Sequence, residues 1–151
     1  MALNISRNTF DTTKKYDKVI LQQGVPWVDA DFNEAQDIIR DKNRKTILYA
    51  VGNGSPDTGL QIVGASLVNN FTIKAGTIFV DGWVIWKESD ETYNVQTDWA
   101  SPTPLTTPGG PRTDLAYLHV FEELVDSVGD PNIKDPTLLV ECCQRIRIRA
   151  R

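Results

Sequence analysis

Along residues 1–30 no regular period holds. Small apolar anchors, Leu3, Ile5, Phe10 and Tyr16, are separated by polar residues, and the clusters Val19-Ile20-Leu21 and Val25-Pro26-Trp27-Val28 follow. This pattern predicts an extended arm over 1–30, with one short strand near Lys18 to Gln22 and a turn at Gly24, since Gly24 and Pro26 both interrupt a ladder. Such an arm has no second layer of its own on which to bury side chains. It needs a groove, on its own domain or on a neighbouring subunit, and Phe10, Tyr16 and Trp27 are its candidate contact residues.

At residue 31 the period becomes helical. Asp31 and Glu34 stand in the capping-box relation, Phe32, Ala35, Ile38 and Ile39 recur at helical spacing, and Ile47, Leu48, Ala50 and Val51 resume it. Between them lies the polar belt Arg40-Asp41-Lys42-Asn43-Arg44-Lys45-Thr46. The reading is one long helix, roughly 32–51 within a segment 31–54, stopped by Gly52-Asn53-Gly54. Its two apolar ends are expected to be buried, and its middle solvated or set against a charged partner.

From residue 60 the period moves towards two. Gln61 to Val63, Asn70 to Lys74, Thr77 to Val80, Trp83 to Lys87 and Thr92 to Val95 read as short strands, with hairpin corners at Ala75-Gly76 and Asp81-Gly82. Pro102, Pro104, Pro108, Gly109, Gly110 and Pro111 make 101–111 a surface loop, after which Leu115 to Val120 and Glu141 to Arg149 read as two more strands. The expected organisation is α+β: an extended arm, one long helix, and a small antiparallel β domain over 60–151, a sandwich or partial barrel.

The 151 residues, 40% of them hydrophobic, suffice for a core, and the net charge of −4 argues against nucleic acid or an anionic membrane as partner. Both cysteines are adjacent, Cys142 and Cys143, which disfavours a disulfide framework and fits an intracellular, reducing site of synthesis. The apolar runs are too short to insert in a bilayer.

Chemistry-bearing groups are sparse. The single histidine, His119, alternates with apolar neighbours and reads as a solvent-facing or hydrogen-bonded strand residue. Asp29, Asp31, Asn33 and Glu34 open like a calcium loop, yet Glu34 stands where that loop needs glycine, and Arg40 stands where it needs a bidentate glutamate. Gly52, Gly54 and Gly59 follow a helix rather than a strand and read as a helix stop and linker. Glu122 and Glu123 diverge on a strand. No catalytic residue, cofactor or metal is therefore expected. One feature stands out: Arg145, Arg147, Arg149 and Arg151 alternate with Ile146, Ile148 and Ala150, so one face of the last strand is cationic and the other apolar. Two readings stay open, pairing with carboxylates on adjacent strands, or docking to an acidic protein surface.

Phe10-Asp11, Lys15-Tyr16, Val19, Gln22-Gln23-Gly24 and Val28-Asp29-Ala30-Asp31-Phe32-Asn33-Glu34 closely resemble the opening module of a domain-of-unknown-function family. That family is encoded among tail and baseplate genes of phages and of phage-derived contractile injection systems. A second block, Leu115 to Glu122, Asp130-Pro131, Lys134-Asp135-Pro136 and Gln144-Arg145-Ile146-Arg147, is similar to the family's later part. The sequence departs from it where Val25-Pro26 follows Gly24 and where Phe32 stands in place of Trp. The resemblance implies a non-enzymatic virion structural protein, a baseplate-associated docking component of a tail, with other tail proteins as partners and a homo-oligomer, a trimer in the first instance. It adds Gln22, Gln23, Asp31 and Glu34 to the candidate interaction residues, beside Arg145, Arg147 and Arg149 of the stripe. The alternative is a small carbohydrate- or receptor-binding module, in which Trp83, Trp86, Trp99 and the Pro-rich loop supply stacking surfaces.

Overall fold

The structure, a computed structural model, describes residues 6–64, 69–111 and 113–151. Leu3 and Ile5 of the arm lie outside the described residues. The protein is α+β, with one α-helix and three small antiparallel sheets, and no closed barrel among the described residues. It divides into two compact units, one of Met1–Asn53 with Asp81–Trp83, the other of Gly54–Val80 with Val84–Arg151.

In the first unit the helix, α1, spans Asp29–Ala50. It begins earlier than the capping pattern indicates. Val28 is the N-cap and offers no side-chain hydrogen bond, while Asp29 and Asp31 sit inside the first turn, where their charge complements the helix dipole. Glu34 is thus too far along to close a capping box, and its carboxylate accepts instead from Thr9 Oγ1 at 2.6 Å. No Gly or Pro interrupts residues 29–50, and an Asp41–Lys45 pair one turn apart supports the middle. The stop falls where expected: Gly52 takes a left-handed φ of 81° and its N–H reaches Ile47 O at 3.0 Å.

The helix buries less than its sequence suggests. Ala30 and Ile38 are buried, but Phe32 and Ile39 are exposed. At about 100° per residue, Ala30, Glu34, Ile38 and Asp41 share one face, and Phe32 and Ile39 lie well off it. Among its described residues the arm forms no strand near Lys18 to Gln22, where no described strand pairs with it, and the regular piece they contain is a 3-10 turn at Thr12–Lys14. The turn at Gly24 does form, with Val25 N–H donating to Gln22 O at 3.4 Å and Gly24 at a φ of 78°.

In the second unit β1 (Ile62–Gly64), β2 (Phe71–Ile73) and β5 (Glu91–Thr92) form a three-stranded sheet in the order β1-β2-β5. β3 (Gly76–Val80) pairs with β4 (Trp83–Lys87). Their turn, Asp81-Gly82, has positive φ at both residues, 49° and 78°, as the type I′ reading requires. β6 (Val120–Val125) pairs with β7 (Arg145–Ala150), running from Val120 opposite Ala150 to Val125 opposite Arg145.

Three strand expectations need correction. Leu115 and Tyr117 alternate like a strand but are exposed; backbone pairing begins where His119 exchanges two hydrogen bonds with Arg151, at 2.7 and 3.0 Å, and β6 itself starts next to it at Val120, opposite Ala150. Glu141 is not part of β7; it forms an isolated bridge with Lys134. Thr92 to Val95 shrinks to the short β5 and a bridge from Thr92 to Val95. The unit's core holds Ile85, Val125 and Ala150, with Gln96 buried and its amide donating to Tyr93 O at 2.9 Å. Gly59 is fixed by contact, since a Cβ there would lie 2.2 Å from Thr77 N.

Candidate interaction surfaces

In the first unit the arm is strapped along its own helix by polar contacts. Asn33 Nδ2 donates to Ser6 Oγ at 3.2 Å, Thr9 Oγ1 to Glu34, and Lys42 Nζ to both the carbonyl and the carboxylate of Asp17. The order 6, 9, 17 against 33, 34, 42 shows that arm and helix run in the same direction. Lys42 holds the Asp17 carboxyl below the usual carboxylate range, first through its hydrogen bond and then through its charge.

The polar belt of the helix likewise finds partners in its own unit. Arg44 Nε donates to Asp81 O at 2.9 Å and its Nη2 pairs with the Asp81 carboxylate. The guanidinium carbons of Arg40 and Arg44 lie 4.9 and 4.6 Å from the Trp83 ring centroid. Gly82 permits this approach: a Cβ there would sit 2.4 Å from Arg44 O.

The apolar groups are what this unit leaves uncovered. Beyond Asp17 the arm exposes Ile20, Leu21, Val25, Trp27 and Val28, Trp27 at 72%. The helix then exposes Phe32 at 58% and Ile39 at 60%. Of the sequence candidates, Phe10 is half-buried, with its N–H held by Asn8 Oδ1 at 3.0 Å. Tyr16 is exposed, with the Lys14 ammonium 5.7 Å from its ring. Gln22 and Gln23 are exposed at the Gly24 turn, and Asp31 donates its backbone N–H to Val28 O at 3.0 Å. Glu34 is committed to Thr9.

In the second unit the arginine strand meets carboxylates of its own chain. Glu123 lies directly opposite Arg147, whose Nε and Nη2 both reach Glu123 Oε2, at 3.1 and 2.6 Å. Arg149 bridges two acids, with Nη1 3.1 Å from Glu123 Oε1 and Nε 3.1 Å from Asp98 Oδ1, and its Nη2 donates to Thr97 O at 3.3 Å. Hydrogen bonding from Arg147, reinforced by Arg149, outweighs desolvation and holds the Glu123 carboxyl below the usual glutamate range.

Arg145 Nη1 donates to Cys143 Sγ at 2.8 Å. Arg151 lies over Trp99 and Phe121, at 5.5 and 5.1 Å from their centroids, and its Nε reaches His119 Nδ1 at 3.4 Å. Of the two readings of the stripe, intrachain pairing is the geometry of Arg147 and Arg149. Asp98 could not be found from sequence, because it joins Arg149 across 51 positions with no local pattern to mark it. Glu122 and Glu123 diverge as expected, Glu122 facing Ile148.

Two of the three tryptophans proposed as stacking platforms are engaged, Trp83 by Arg40 and Arg44, and Trp99 by Tyr93 and Arg151; Trp86 is exposed. Tyr93 also donates its hydroxyl to Thr103 O at 2.8 Å, tying down the Pro-rich loop. Among the described residues no group of three or more His, Cys, Asp or Glu is placed to hold a metal ion, and no helix is long and apolar enough to cross a membrane.

No curated protein matches the chain. A family model described as a domain of unknown function, DUF4815, matches residues 4–98, well over half of the sequence, and the protein belongs to that family.

Proposed function

We propose that this protein is a virion structural component of a phage tail or contractile injection machine, a baseplate-associated docking part that works by contact and carries out no catalysis. One observation carries the reading. The first unit uses its polar groups internally but leaves the apolar run Ile20 to Val28, and Phe32 and Ile39 beyond it, open to solvent. Burying one such side chain stabilises by about 1.5–3 kcal/mol, so an uncovered set of this size favours a partner surface. The similarity of the Phe10 to Glu34 and Leu115 to Arg147 blocks to tail and baseplate proteins supports the same reading. The partners are then other tail proteins and further copies of the chain, a trimer in the first instance. The protein is made in the host cytoplasm and resides in the virion.

Replacing Ile20, Leu21 and Trp27 together by Ser tests it. These residues are exposed, so the fold should persist while copurification with tail particles is lost. Normal incorporation of the triple variant would contradict a docking role for the arm.

A further inference from the structure

The outer face of α1 carries a seam that its own unit does not use. Phe32, Gln36, Ile39, Asn43, Thr46 and Ala50 follow one another at alternating spacings of four and three, and every one of them is exposed. This is the spacing of a coiled-coil seam, with Phe32, Ile39 and Thr46 at one core position and Gln36, Asn43 and Ala50 at the other. Ala30, Ile38, Asp41 and Arg44 fall elsewhere on the helix and are buried or half-buried.

We propose that this seam binds the same helix of further copies of the chain, parallel and in register. The alternation of layers selects the occupant. A wholly apolar partner helix would leave the amides of Gln36 and Asn43 and the Thr46 hydroxyl without hydrogen bonds, and a polar one would waste Phe32 and Ile39. A second copy in register sets apolar on apolar and amide on amide, and a polar Asn in such a core fixes register at some cost in stability.

Charge selects the direction. In the parallel arrangement the flanking positions bring Ala35 towards Arg40 and Lys42 towards Ile47 of the neighbour, so no like charges meet. An antiparallel pair would cross near residue 41 and bring Arg40 and Lys42 of both copies together. The inference rests on the structural reading above, and it specifies which surface joins the copies.

Single cysteines at the seam test it, in full-length chain with Cys142 and Cys143 replaced by Ser. Under mild oxidation Asn43→Cys should form a 43-to-43 disulfide in high yield, and Gln36→Cys a 36-to-36 disulfide. A mixture of the two variants should give at least tenfold less of the 36-to-43 product than of the matched ones. Light scattering should give a mass of two or more chains, and Ile39→Asp should reduce it to one without changing the circular dichroism. A single-chain mass at all concentrations, or cross-linking as strong between 36 and 43 as between matched positions, would overturn the proposal. If Ile39→Asp is monomeric yet still found in tail particles at normal copy number, the seam is wrong as the assembly contact while the structural reading stands. If the seam forms but the chain is absent from particles, the structural reading fails alone.

Discussion

Ile38 and Ile39 are chemically identical neighbours with opposite duties. Ile38 is 2% exposed, so Ile38→Ala should destabilise the first unit by about 2–5 kcal/mol, read as a lower melting temperature. Ile39→Ser should change melting of the isolated chain by no more than about 0.5 kcal/mol, since it lies on the open side of the helix, and should instead weaken self-association. Equal effects of the two substitutions on melting would show that the helix is rotated from the orientation described. In the second unit Gly59→Ala should cost about 1–3 kcal/mol, because the added methyl meets the backbone of Thr77 rather than a yielding side chain. Chemical unfolding of that variant is the measurement; an unchanged midpoint would show that the 55–59 turn does not pack on β3.

At the scale of elements, β6 and β7 make a two-stranded ribbon, a structure that is marginal alone and needs its side chains to hold it. The ladder of Glu123 with Arg147 and Arg149, extended to Asp98, supplies that. Since the Glu123 carboxyl titrates below its usual value, its contribution is present above the unfolded glutamate value and is lost as pH falls through the lower folded one. Thermal stability should therefore hold through mildly acid solution and drop once pH falls below the ordinary glutamate value, and Glu123→Gln should flatten that part of the pH profile. An unchanged profile would mean the ladder does not contribute. Arg147→Glu with Arg149→Glu, which crowds like charges around Glu123 and Asp98, should lower the melting temperature of the second unit by several degrees. A fully stable double variant that had lost a protein partner would favour the docking reading of the stripe instead.

What the sequence revealed at this scale follows the range of the forces involved. The Asp81-Gly82 turn, the Gly52 stop and the alternation of Arg145 to Arg151 are decided within a few residues, and all were legible. The start of β6 at Val120 rather than Leu115, and the open side of the helix at Phe32 and Ile39, depend on what packs against them from far along the chain. The false capping box has the same origin: Glu34 serves Thr9, 25 positions away, rather than the helix start.

Across the whole molecule, the candidate site was legible as an inventory but not as an arrangement. Trp27, Phe10 and Tyr16 could be named as arm contacts, whereas the strapping of residues 6–17 to the helix, which leaves the run from Ile20 onward as the open part, could not. Two acidic residues near the helix start have partners within the chain, Asp29 Oδ1 accepting from Ala30 N–H and Glu34 from Thr9, so chelation should leave the melting temperature unchanged. A chelator-induced fall of several degrees would instead point to a bound ion there.

The central claim is that this protein is a part of a particle and acts by contact. A mass-spectrometric inventory of purified tail particles tests it most directly. The account predicts the chain among the structural proteins, at a fixed ratio to other tail components and retained through high-salt washing, as apolar docking implies. Its absence from intact particles, with the protein recovered only in the soluble fraction of lysed cells, would contradict the claim.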